Sequence, residues 1–165
     1  MEIGLSLGSN LGGRLENLRS AVARIAEIPQ LDVVAESSVY ETEPIDVPPA
    51  HRHRLFLNMV VIVVSESAVM DIFAQVQAIE GGLGRRPGQA PNTPRAIDID
   101  LIYAGDKVVR SADLTLPHPR WQTRRFVLVP LAEVRPGRIL PGQRQSVADL
   151  LLSLPPDTMV VPFEV

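Results

Sequence analysis

The stretch Thr93–Gly105, TPRAIDIDLIYAG, places Ile97, Ile99 and Leu101 at every second position, with Asp98 and Asp100 between them. A period of two belongs to a β-strand, whose successive side chains point to opposite faces. RAIDIDLIYAG therefore reads as a strand that turns its apolar residues into a core and both aspartates the other way. The segments before it decide what that strand completes. SAVMDIFAQVQAIEGGLG carries Val69, Ile72, Phe73, Val76, Ile79 and Leu83 in steps of three and four, a helix expected to stop at Gly81 and Gly82. LFLNMVVIVVS reads as a central strand, and LDVVAESSVYETEP as a β-branched strand before it. RLENLRSAVARIAEI is an amphipathic helix ended by Pro29, and EIGLSLG opens the chain with Ile3, Leu5 and Leu7 on one strand face.

The order is βαββαβ. That is an α+β, ferredoxin-like core, an antiparallel sheet with both helices packed on one face. C-terminal additions follow. DKVVRS suits a short strand and RRFVLVPLAEV a short helix. SVADLLLSL suits a helix in which Ser146 and Asp149 form a capping box. With no repeat and no linker composition, residues 1–165 are expected to form a single domain.

Composition narrows the function. The absence of cysteine fits a reducing compartment. The first ten residues lack the basic leader of a signal peptide. The longest apolar run, LFLNMVVIVV, is about half the ~20 residues of a membrane helix. A soluble, cytoplasmic protein is expected, with no membrane association and no obligate protein partner. Net charge is −3, which argues against a nucleic-acid footprint. Aromatic residues are only 4%, too few for a base-stacking RNA-binding sheet. Arg85, Arg86, Arg95, Arg120, Arg124 and Arg125 nevertheless gather near or after the aspartate pair.

Two carboxylates on one strand face repel unless a cation lies between them. Mg²⁺ takes one or two carboxylates and completes its shell with water and phosphate oxygens. The plain alternative is a solvated sheet face with two unrelated acids. The aperiodic loop from Gly84 to Pro94 has Arg85 and Arg95 at its roots, and loops of that length serve as lids or lack order. Arginines there suit phosphate. Gln77 and Glu80 share a helix face, or lie on an ordinary exposed one. His118 lies between two prolines that fix its backbone. GSNLGGR is neither a P-loop nor G-x-G-x-x-G, and its glycines are expected to shape the turn into the first helix. HRHR at His51–Arg54 lacks a third metal ligand, and no nucleophile constellation or zinc spacing is visible.

Taken together, LGSNLG, SSVYETEP, the FLN of Phe56–Asn58, PRAIDIDLI and LTLPHPR with RRFVLVPLAEV resemble the 6-hydroxymethyl-7,8-dihydropterin pyrophosphokinase family over nearly the whole chain. The resemblance implies Mg²⁺-dependent diphosphate transfer from ATP, as co-substrate, to the pterin hydroxymethyl group, giving AMP and the pterin diphosphate in folate biosynthesis. It implies that Asp98 and Asp100 bind two magnesium ions, and that Arg85 and Arg95 meet phosphate at the ends of a mobile loop. Phe73, Gln77, Glu80, Leu101, His118 and Arg124 would line the ATP site. Thr42, Phe56, Asn58 and Phe126 would form the pterin pocket. The chain departs from the family at Pro91, Asn92 and Thr93, before the Pro-Arg pair, and at Pro119, where some members carry tyrosine. These changes bear on loop closure rather than on the metal site. The alternative from another class is a non-catalytic ferredoxin-like module that binds nucleotide or a partner.

Overall fold

The computed structural model describes residues 1–84 and 88–165. Among these the chain runs β1 (Glu2–Ser9), α1 (Arg14–Ala26), β2 (Leu31–Glu36), β3 (Tyr40–Thr42), β4 (Phe56–Ser65), α2 (Val69–Gly82) and β5 (Asp98–Ala104). It continues with β6 (Val109–Arg110), β7 (Thr115–Leu116), α3 (Arg125–Val134), α4 (Val147–Ser153) and β8 (Val160–Pro162). The main sheet has the order β5-β1-β4-β3-β8, with β2 also paired to β4, and β6 and β7 form a separate ribbon. Every pairing is antiparallel. With β2 and β3 counted as one interrupted strand, this is the expected ferredoxin-like sheet.

The sheet separates two cores. Leu18 and Ile25 of α1 and Ile72 and Val76 of α2 pack on Ile3, Leu5, Leu7, Val61, Ile99 and Leu101. Leu128 and Leu131 of α3 and Val147 of α4 pack on Val60, Ile62, Ile102 and Tyr103. Consecutive residues Ile102 and Tyr103 share that second core because of a bulge. Gly4 pairs with Tyr103 and Leu5 with Leu101, so Ile102 is the extra residue. A side chain at Gly4 would lie 2.5 Å from the Tyr103 ring, so glycine is needed for this close approach.

Three details differ from the sequence expectation. The second strand is broken around Ser37, whose buried hydroxyl accepts the Val60 N–H at 2.9 Å. Helix α2 ends at Gly82, where the glycine pair was expected to stop it, and the positive-φ turn follows at Gly84, with φ +106°. Gly8 lies within β1, so of the GSNLGGR glycines only Gly12 takes the left-handed turn conformation, with φ +69°. Strands β7 and β8 are additional. Ser146 caps α4, its hydroxyl accepting the Asp149 N–H at 3.2 Å and donating to the Asp149 carboxylate at 2.7 Å.

Candidate active site

Helix α3 begins only at Arg125, so it covers only part of its sheet face. The uncovered part presents the polar and small residues that alternate with the buried core. Ser6 and Gly8 of β1 stand beside Asp100 and Asp98 of β5, and Asn58 of β4 stands beside Gly8. Two hollows open there, and a third adjoins them around the β5 edge, on the α2 side.

The first is lined by Thr42, Phe56, Asn58 and Phe126, all four of the residues expected at the pterin, together with Asp98 and Asp100. Asn58, nearly fully buried, donates from Nδ2 to Thr42 Oγ1 at 2.7 Å, which fixes the orientation of its amide. The second hollow joins Asp98 and Asp100 to Arg95, Arg120, Arg124 and His118. The third has Phe73, Leu101 and Leu114 as apolar walls and His118 and Asp100 at one side. Asp100 lines all three. Arg85 lies outside the described residues. Gln77 is exposed on α2 and lines none of the three hollows. Glu80 is buried, and its carboxylate accepts the Ile99 N–H at 2.6 Å, which ties α2 to β5 between the aspartates.

Arg95 is gripped through its backbone. Asn10 Oδ1 accepts the Arg95 N–H at 2.9 Å, and the Asn10 N–H donates to the Arg95 carbonyl at 3.3 Å. The guanidinium meets Asp98 Oδ1 at 2.8 Å. His118 donates its backbone N–H to the Ile102 carbonyl at 2.8 Å, outside the β5 edge. Its Nδ1 accepts the Arg120 N–H at 3.1 Å, so the neutral ring carries its proton on Nε2, 4.0 Å from Asp100. Burial, then the charges of Arg124 and Arg120, pushes the His118 pKa down to about 4.

Asp100 is shifted the other way, to about 7. The first cause is the loss of hydration at the cleft floor, and the second is the charge of Asp98. Arg124 and Arg95 only partly offset them. A carboxylate pair under that strain is suited to a divalent cation. Among the described residues no cluster of three or more His, Cys, Asp or Glu groups forms a complete metal site. The donor set therefore fits a magnesium ion that keeps ligands from water and from a phosphate-bearing substrate.

Sequence reasoning missed Ser6, Gly8, Glu43, Ile45 and Val47, which also line the first hollow. The signals were present as small residues alternating with Leu5 and Leu7, and as apolar residues inside a Pro-rich loop. Asn92, at φ +58°, and Thr93 line the same hollow and Pro91 lines the second, so the departures before the Pro-Arg pair all lie at the site. Pro119 lines the third hollow.

A ferredoxin-like fold whose acidic side chains and arginines converge on one cleft suits an enzyme that handles phosphate groups. The chain belongs to the 7,8-dihydro-6-hydroxymethylpterin-pyrophosphokinase family, whose model matches residues 4–136. It is 33% identical over 147 residues to the 2-amino-4-hydroxy-6-hydroxymethyldihydropteridine pyrophosphokinase of Synechocystis sp., covering 89% of this chain and 73% of the relative. It is 34% identical over 165 residues to the folate synthesis bifunctional protein of Chlamydia caviae, covering 95% of this chain but 37% of that one. The wild-type HPPK-DHPS structure of Plasmodium falciparum shares the fold with a TM-score of 0.69 at 13% identity, over 92% of this chain and 44% of the other. The unit thus also occurs within longer chains. Among the described residues no helix is long and apolar enough to cross a membrane.

Proposed function

We propose that residues 1–165 act as one catalytic unit that moves diphosphate from ATP to the hydroxymethyl group of 6-hydroxymethyl-7,8-dihydropterin, with AMP as the other product, in folate biosynthesis. The observation that carries this reading is the position of Asp100. It lines the hollow with the Asn58 amide and aromatic rings, the hollow with the arginines, and the hollow with the apolar walls. The reacting groups of a flat heterocycle and a nucleotide would meet there.

In this reading Phe56 and Phe126 hold the pterin ring, while Asn58 and Thr42 read its polar edge. Phe73 and Leu101 face adenine, and Arg124 and His118 Nε2 face phosphate oxygens. Arg95 and Arg85 take the phosphates at the loop ends, and Gln77 and Glu80 complete the nucleotide side. The hydroxyl oxygen forms a bond to the β-phosphorus, the bond from that phosphorus to the α–β bridging oxygen breaks, and AMP leaves with the electron pair. The hydroxyl proton passes to the medium. Transfers of this kind depend on positioning and charge neutralisation more than on covalent help from the protein. Magnesium, with two ions in this reading, would neutralise phosphate charge beside Asp98 and Asp100. A cytoplasmic setting, where ATP is supplied, suits this reading.

Asp98→Ala and Asp100→Ala should each cut AMP formation by at least ~100-fold, the scale of losing an electrostatic stabiliser, while circular dichroism stays that of the wild type. Near-normal AMP formation by either folded variant would sink the assignment.

A further inference from the structure

Strand β8 lies beyond residues 4–136, which the family model matches, yet it braces the first hollow. It pairs with β3 in the register Tyr40↔Pro162, Glu41↔Val161, Thr42↔Val160. Just past the strand, the Glu43 N–H donates to the Met159 carbonyl at 3.3 Å, and the Glu43 carboxylate accepts the Met159 N–H at 2.8 Å. At the other end the Phe163 N–H donates to the Val39 carbonyl at 2.8 Å.

Arg14, the first residue of α1, ties this strand to the rest. Its guanidinium stands over the Phe163 ring, 5.9 Å from the centroid. The same group donates to the Leu55 carbonyl at 2.9 Å and to the Glu41 carboxylate at 2.8 Å. Leu55 precedes Phe56, and Glu41 precedes Thr42 and Glu43. All three of the residues so placed line the first hollow. A planar fork with several donors fixes three elements in a way that a lysine cannot.

We propose that Arg14, with Phe163 and β8, is a positioning device for the pterin pocket, holding its two rims at a fixed spacing. The proposal rests on the pterin reading of that hollow. The loop from Glu43 to Leu55 closes between those rims, and fixing its ends removes freedom that binding would otherwise have to remove. The effect therefore falls on pterin affinity. Asp98 and Asp100 sit on β5 at the opposite edge of the sheet, away from the brace.

The test uses the full chain as wild type, Arg14→Lys, Arg14→Gln and Phe163→Leu. In steady-state AMP formation, the pterin KM should rise about tenfold in Arg14→Gln and Phe163→Leu, equivalent to about 1.4 kcal/mol. Arg14→Lys keeps the charge without the fork and should recover only part of the loss. ATP KM and kcat should stay within about twofold, well inside the ~1.4 kcal/mol that marks a tenfold change. Parallel rises in both KM values, or an unchanged pterin KM, would overturn the proposal. Hydrogen exchange reads the brace without substrate. Faster exchange at Thr42, Glu43 and Phe56 with β5 unchanged is expected, and unchanged exchange at those residues overturns it. If exchange shifts as expected but the wild type does not use the pterin, the brace stands and the pterin reading fails.

Discussion

Gly8 belongs to the site although it has no side chain. A Cβ there would lie 2.7 Å from Asn58 Oδ1, closer than real contacts allow. The Asn58 amide cannot yield freely, because its nitrogen is bound to Thr42 Oγ1. Under the proposed function, Gly8→Ala should therefore displace the Asn58 amide and raise the pterin KM roughly tenfold, given how steeply catalysis depends on placement. Steady-state kinetics at saturating ATP would show it, and a wild-type KM would contradict it. The same scale shows what was legible. The period of two in Ile97–Leu101 was enough to put Asp98 and Asp100 on one face, because strand alternation is local. That Asn10 grips the Arg95 backbone was not legible, since 85 residues separate the partners. The burial of the Glu80 carboxylate was likewise not legible, because Ile99, whose N–H it accepts, lies on another element.

Among the elements, α3 decides how much of the sheet stays open, and one carboxylate anchors it. Glu133 accepts from Ser38 N–H at 2.9 Å, Ser38 Oγ at 2.8 Å and Tyr40 OH at 2.7 Å, at the corner between β2 and β3. Burial tends to raise its pKa, but these three bonds win and hold it below the ordinary 4.5. Tyr40 is pushed up to about 12 by burial and by Glu133, so it remains the donor. A carboxylate held below its unfolded pKa contributes stability that is complete above that pKa and is lost as pH falls through the folded value. Wild type should therefore exceed Glu133→Gln in melting temperature near pH 6, with the gap closing as pH falls below 4.5. A gap that stays constant or widens toward pH 3 would refute the anchor. The main helices and strands were readable because their periodicities lie within single segments. The end of α2 at Gly82 was readable for the same reason, since a glycine pair is a local stop signal. The strand β8 was missed because three residues carry almost no periodic signal, and their partner β3 lies more than a hundred positions earlier.

Across the whole molecule, one sheet serves two purposes. Its α1–α2 face carries a continuous core with one hollow at the β5 edge, and its other face is sealed at one end and open at the other. Local order sufficed to anticipate the ferredoxin-like sheet, but the opening depends on where α3 starts, which is a tertiary fact. The cleft joins three hollows through Asp100, and under the proposed function this continuity would link a pterin pocket to a nucleotide pocket in one reaction. The net charge of −3 conceals that arrangement, because the arginines of the cleft are balanced by acids elsewhere. The most direct test is AMP release from ATP and Mg²⁺ by the wild-type chain, with and without 6-hydroxymethyl-7,8-dihydropterin. AMP that appears only when the pterin is present, in step with the pterin diphosphate, is the predicted result. AMP release that ignores the pterin, or none in either case, would contradict it.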